Sequence, residues 1–286
     1  MKNILLTGSN GFIGSYFKAH YTNKYSIDTF SFRSNDLDKL SLSSIDSIIY
    51  LSALVHQMGG ASEEEYKKVN INQTIQLAKK AKETGVKHFI FMSTVKVYGE
   101  ETDIAYTEST PCLPKDSYGR SKLEAEQELK KLEDRYFKIS IIRTPIVYGY
   151  GVKANIKNLI RLVNKIPILP FGGIENTRSM VYIGNLCYLM DQILLQEKSG
   201  IFLARDDESL STSKFIELIA RNLHKKVFLI KIPFFNAILK WIKPSFQKRL
   251  YGSLEVNNVK TKKILNYVNP YTVEKGIYFM IHGEKI

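Results

Sequence analysis

Apolar positions along the chain fall into short blocks, and two periods alternate between them. Residues 4–7 form an apolar run that flows into Gly8, and such a run suits a strand buried on both faces of a parallel sheet. Further blocks at 25–32, 47–51, 88–93 and 139–143 predict strands of the same kind. Between them the spacing is helical, over 12–20, over 63–84 with Gly85 as its C-cap, and over 117–136. This alternation predicts an α/β fold with a doubly wound parallel sheet, helices on both faces and right-handed crossovers. After Pro145 the rhythm breaks. Residues 148–151 read as a loop, 155–165 as a helix, 167–173 as turn-rich and 181–196 as a helix. Residues 200–205 read as a strand able to rejoin the sheet, and the tail from Ser211 as mostly helical. A smaller, mainly helical C-terminal lobe that interleaves with the first is expected.

Composition changes this picture little. The chain has 286 residues, of which 44% are apolar and 24% charged, enough for a large core and too few charges for wholesale disorder. The net charge of +13 fits either attraction to phosphates or basic residues spread over solvated faces, and their scatter favours the second reading. No nucleic-acid recognition motif appears. Cys112 and Cys187 are far apart and lack metal-like spacing, so no metal site or disulfide is expected, the compartment is read as reducing, and Cys187 as core. No segment approaches the ~20 apolar residues of a membrane span, and the first apolar run is short for a signal peptide. The expectation is a cytoplasmic protein without stable membrane insertion. Residues 227–250 mix Phe234, Phe235 and Trp241 with Lys231, Lys240, Lys243 and Lys248, as an interfacial helix does. Pro233 and Pro244 fragment the stretch, and a helix of the smaller lobe is the favoured reading.

Chemistry enters with three motifs. Gly8, Gly11 and Gly14 are spaced G-x-x-G-x-x-G between a predicted strand and a predicted helix, the context in which glycines let backbone and helix N-terminus approach a pyrophosphate. The second strand ends in Ser31-Phe32-Arg33-Ser34 without the acid that bonds an NAD ribose, and Arg33 suits a 2′-phosphate instead. Tyr118 and Lys122 stand at i and i+4, which places their Cβ atoms about 5–6 Å apart on one helix face. An ammonium held there is expected to lower the phenol from its usual ~10 and prepare it for proton transfer.

Together these pieces resemble the extended short-chain dehydrogenase/reductase family of nucleotide-sugar epimerases, dehydratases and reductases, over nearly the whole chain. The resemblance rests on the glycine loop, the strand Phe89-Ile-Phe-Met-Ser-Thr94, Val97-Tyr98-Gly99, Tyr118/Lys122 and Arg143-Thr-Pro-Ile-Val-Tyr-Gly149. It implies a Rossmann-type dinucleotide-binding domain over 1–148 with about 181–206, and a substrate lobe over about 149–180 with 207–286. It also implies a catalytic set of Thr94, Tyr118 and Lys122; Thr94 lies 24 residues before the tyrosine, and Ser93 is the neighbour open to confusion with it. Cofactor contacts are implied at Gly8, Asn10, Gly11, Phe12, Ile13, Gly14, Arg33, Leu51, Ala53, Tyr118 and Lys122, with NADP(H) favoured and NAD(H) possible. Substrate contacts are implied at Thr94, Val95, Lys96, Asn155 and Arg178, the last as a clamp on the diphosphate of a UDP-sugar. Lys153 and Arg249 are further candidates, Asn70 is read as a support of the site, and for His56 and Met58 a substrate contact is left open. A finer resemblance points to bacterial reductases of UDP-2-acetamido-2,6-dideoxy-4-hexuloses. It is carried by Ala53-Leu-Val-His-Gln-Met58, Ser93-Thr-Val-Lys-Val-Tyr-Gly-Glu100 and Tyr118-Gly-Arg-Ser-Lys-Leu-Glu-Ala-Glu126. It implies NAD(P)H-dependent reduction of a C4 ketone. A 4-epimerase with tightly held NAD is the alternative, and a non-catalytic nucleotide sensor a distant one. Homodimerisation through the helices at 63–84 and 117–136 is expected by the same resemblance.

Overall fold

The computed structural model describes residues 1–55 and 61–284. In chain order the first half contains β1 (Lys2–Thr7), α1 (Phe12–Tyr21), β2 (Tyr25–Phe30), β3 (Ser47–Tyr50), α2 (Glu63–Tyr66), a π-helical turn (Lys67–Asn72), α3 (Gln73–Glu83), β4 (His88–Thr94), α4 (Ser117–Leu132) and β5 (Lys138–Thr144). The second half contains β6 (Ile146–Tyr148), α5 (Ala154–Lys165), β7 (Ile168–Leu169), β8 (Met180–Tyr182), α6 (Ile183–Gln196), β9 (Gly200–Leu203), α7 (Thr212–Asn222), β10 (Phe228–Leu229), α8 (Phe235–Ile242), α9 (Pro244–Tyr251), α10 (Val259–Leu265) and α11 (Val273–His282).

Six strands form one parallel sheet in the order β2-β1-β3-β4-β5-β9. Alternate residues of each strand enter different cores. Ile4 and Leu6 face one layer and Leu5 the other; in β4, Ile90 and Met92 oppose Phe89 and Phe91. Phe17 of α1 and Leu186 of α6 complete the first core, whereas Leu77 and Ala78 of α3 and Ala125 and Leu129 of α4 complete the second. The strand order reverses between β1 and β3, so a crevice opens above their carboxyl ends, where open α/β sheets bind ligands. Thr7 closes its floor, accepting from the backbone N–H groups of Leu51 and Ser52 at 3.1 Å each.

The structure departs from the expected elements in three places. Residues 181–196 are not helical throughout: Met180–Tyr182 pairs in parallel with Ile146–Tyr148 before α6 begins, and a three-residue strand has no readable period. The helix expected to reach 136 ends at Leu132, because the Asp134 carboxylate accepts from Tyr136 and Phe137 N–H and turns the chain. The helix expected over 63–84 is interrupted by the π-helical turn, which places Asn70 under the site. The strand from Gly200 does rejoin the sheet, beside β5. Among the described residues no helix is long and apolar enough to cross a membrane.

Candidate active site

The loop between β1 and α1 is shaped by close backbone approach. Gly8 has φ +67°, and a Cβ there would stand 2.9 Å from the Leu51 carbonyl carbon. A Cβ on Gly14 would stand 2.3 Å from Gly8 O, so the loop and the helix interlock only without side chains. Gly11 is the N-cap of α1 and supplies no side-chain acceptor, which leaves the first N–H groups of the helix, from Phe12 onward, for a ligand. Asn10 is exposed beside them, and Leu51 and Ala53 are half-buried where the chain leaves β3. This backbone cradle fits the pyrophosphate of a dinucleotide. Arg33 is exposed in the turn that follows β2, and its guanidinium makes no hydrogen bond among the described residues.

Tyr118 stands in the first turn of α4. The N-cap Asp116 accepts from Gly119 N–H at 2.7 Å and from Lys96 Nζ at 2.5 Å. Two buried polar links hold this turn in place. Asn70 clamps the backbone of Leu54, accepting from its N–H at 2.8 Å and donating to its C=O at 3.0 Å. It also donates to Ser121 Oγ at 3.0 Å, and Ser121 donates to Tyr118 O at 2.8 Å. Tyr66 lies against the Tyr118 ring, with centroids 6.3 Å apart.

The expected Lys122 effect on Tyr118 is not present. Lys122 is 1% exposed, its Nζ sits 3.8 Å from the centroid of the Phe91 ring, and burial pulls its ammonium down to about 7. Burial, with the charge of Asp116 next, instead raises the Tyr118 phenol above its ordinary value. Helical spacing brings the two residues to one face, but the packing of that face against β4 decides where the amine goes. Glu126, one further step along the same face, binds buried Arg143 through Nε and Nη2, the latter at 2.6 Å, and accepts from Ser93 Oγ.

That network separates the two hydroxyls at the end of β4. Ser93 is committed to Glu126, whereas among the described residues Thr94 Oγ1 accepts from Lys96 N–H alone, at 3.3 Å. The Val95 side chain is buried with Val97 and Tyr98, which leaves its backbone alone for ligand contact, and Lys96 is held by Asp116. The 3-10 turn after β4 folds Val95 inward and carries Lys96 toward the α4 N-cap.

Two clefts flank this centre. The larger, about 410 Å³, is lined by Asn155, Arg178 and Arg249 together with Phe171, Met180 and Phe246. Its lining does not include Thr94 or Tyr118; Ile146 on its wall lies two residues after Thr144, the register partner of Thr94. Arg178 Nη1 donates to Gly252 O at 2.8 Å, and Arg249 Nε to Ser245 O at 3.0 Å, so each guanidinium keeps further N–H groups for a ligand. Burial lowers Arg178 from its ordinary value while the charge of Glu101 raises it. The smaller cleft, about 290 Å³, joins Asn10, Gly11 and Phe12 to Tyr150, Lys153 and Glu284. Lys153 and Asn155, both candidates for substrate contact, line different clefts. His56 and Met58 lie outside the described residues. Sequence reasoning missed Ser121, Glu126 and the aromatic wall of Phe171 and Phe246. Glu126 was findable as the next step of the Tyr118–Lys122 face; the others are assembled by tertiary contacts. No group of three or more His, Cys, Asp or Glu able to hold a metal occurs among the described residues.

Comparison with known proteins matches residues 4–203 to the NAD dependent epimerase/dehydratase family. A UDP-glucose 4-epimerase of Vibrio cholerae is 35% identical over 96% of this chain and 93% of its own. The N-acetyl-alpha-D-glucosaminyl-diphospho-ditrans,octacis-undecaprenol 4-epimerase of Escherichia coli O157:H7 is 23% identical over 99% and 97%. Among solved structures, UDP-glucuronic acid 4-epimerase from Bacillus cereus in complex with NAD superimposes with a TM-score of 0.80 at 21% identity, covering 98% of each chain. The dTDP-4-dehydrorhamnose reductase from Bacillus anthracis in complex with NADP gives 0.76 at 19% identity, covering 97% and 98%.

Proposed function

We propose, from the premise that this chain belongs to the NAD dependent epimerase/dehydratase family, that it exchanges hydride and proton at C4 of a UDP-linked sugar, and that its net reaction is reduction of a 4-keto sugar. A nicotinamide cofactor held on the glycine cradle supplies the hydride. Tyr118 gives the proton to the developing alkoxide, and Thr94 donates a hydrogen bond to the same oxygen. Arg178 and Arg249 hold the diphosphate at the mouth of the larger cleft, where guanidinium geometry suits phosphate, and Asn155 contacts the nucleotide. Asn70 and Ser121 act through Tyr118, fixing its backbone. The smaller lobe carries the substrate cleft, and α2–α3 with α4 offer the face for a homodimer.

The observation that carries the reductive direction is the end of β2, where Ser31-Phe32-Arg33-Ser34 offers no acid to meet an NAD ribose. The exposed Arg33, in place of an acid after β2, agrees with exchangeable NADPH.

A second reading, 4-epimerisation with retained NAD, is favoured by the names of the relatives. The diphosphate is the part the two arginines recognise, so the polyprenol-linked carrier in the name of the E. coli relative is a further form of substrate to assay. The test is incubation with a UDP-4-keto-6-deoxy-N-acetylhexosamine and NADPH, followed by absorbance and by NMR of the product. Stoichiometric loss of NADPH with a new C4 alcohol supports the reductase. Inversion at C4 of a UDP-HexNAc without net NADPH loss replaces it with the epimerase.

A further inference from the structure

The hairpin of α8 and α9 leaves an unusual surface uncovered. No side chain of α8 is buried; Phe235 and Leu239, four apart, are half-buried against the core and anchor the helix. Beside these anchors Ile238 is 49% and Ile242 58% exposed, and farther round the helix Trp241 is 87% exposed, with Phe234 at 82% just before its first turn. Exposed Ile232 and Ile230 lead back along the chain to the short β7–β10 sheet, where the exposed Phe228 and Ile168 are register partners. Such contiguous apolar exposure marks an interaction surface rather than ordinary scatter.

Charge says what covers it. Between Glu217 and Glu255 the chain carries eight Lys or Arg and no Asp or Glu. Lys231, Lys240 and Lys243 stand among the exposed apolar residues, and all three are themselves exposed. Short amphipathic helices with aromatic tips and a rim of lysines fit the headgroup boundary of an anionic bilayer. The hairpin is also a wall of the larger cleft, through Phe246, Arg249 and Leu250.

We infer that the α8–α9 hairpin, with the β10 edge, docks this protein peripherally on an anionic lipid bilayer, setting the mouth of its substrate cleft at the membrane surface. Phe234, Ile238, Trp241 and Ile242 enter the interface, while Lys231, Lys240 and Lys243 meet lipid phosphates. The inference does not depend on which sugar the cleft takes or on the direction of the reaction.

Trp241 is the one tryptophan of the chain and reports on its own environment. The experiment adds phosphatidylcholine vesicles, with and without phosphatidylglycerol, to the full-length protein at low salt, and follows tryptophan emission and flotation. Expected are a blue shift and flotation with the anionic vesicles only, both reversed by high salt. The double variant Lys240→Glu/Lys243→Glu is expected to lower vesicle partitioning by about tenfold or more, and Phe234→Ser/Ile242→Ser to abolish flotation. Thermal melting of each variant, matched to the parent, shows that the fold is kept. No shift and no flotation with anionic vesicles overturns the inference, as does equal binding to both vesicle types. A blue shift that appears without lipid as protein concentration rises, together with a doubled mass, assigns the face to a second copy and overturns it as well.

Discussion

Tyr118 and Lys122 show how far one side chain's behaviour is set by what surrounds it. Tyr118→Phe removes the proposed proton donor and is expected to lower kcat by about 10²–10⁴ with cofactor binding retained; steady-state rates with a 4-keto substrate check this. Lys122 has an ordinary value of 10.5 and is pulled down to about 7 by burial. A depressed lysine contributes stability above its unfolded value and loses it as pH falls through the folded one, so near and below pH 7 ionised Lys122 is a cost. Lys122→Met fills similar volume over Phe91 without that charge. It is expected to melt higher than the parent at pH 6–7, by less at pH 10, and to lose activity; equal melting at pH 6 would show that the ammonium is satisfied in place. Arg33→Ala is expected to raise KM for NADPH and leave KM for NADH unchanged. Unaltered discrimination between the two would remove the case for a 2′-phosphate contact.

At the scale of elements, α4 does several jobs with one face. Its first turn presents Tyr118, its second buries Lys122, and its third anchors the helix to β4 and β5 through Glu126. Arg143 is raised above its ordinary value despite burial, because the Glu126 bonds outweigh the loss of solvent. Glu126→Ala strands a buried guanidinium and the Ser93 hydroxyl, and is expected to cost about 3–5 kcal/mol in urea denaturation. The paired change Glu126→Leu/Arg143→Met is expected to cost less than the single one, since no buried charge remains. The strands of the main sheet were legible as short apolar runs, because β1, β3, β4 and β5 are buried on both faces. The β6–β8 pair was not, since three residues carry no period and their partner lies over thirty positions away. Likewise the glycine cradle was legible in the sequence as spacing, whereas the place of Arg249 in the cleft depends on how the α8–α9 hairpin turns.

In the whole molecule, Asp206 ties three elements of the second half together. It accepts from Tyr148 OH at 2.7 Å, from Asn185 Nδ2 at 2.7 Å and from Tyr182 N–H at 3.0 Å, joining β6, β8 and α6 just after β9. Burial raises its carboxyl from 3.8 to about 6. A raised acid stabilises the fold fully below its unfolded value and loses that contribution as pH rises to the folded one, so Asp206 penalises the fold above pH 6. Asp206→Asn keeps an acceptor for Tyr182 and is expected to shrink the stability difference between pH 4 and pH 7 by about 3 kcal/mol relative to the parent. Denaturant midpoints at the two pH values measure it. By itself the sequence determined the elements of the main sheet, the phosphate cradle and the helix bearing Tyr118. Those depend on local period, on glycine's missing side chain and on spacing within a few residues. Only the tertiary structure decided the strand order, the commitment of Ser93 to Glu126, the packing of Lys122 over Phe91 and the division of Lys153 from Asn155. Each of these is set by which distant residues share a buried volume, and burial fixes both the direction of a side chain and the cost of its charge.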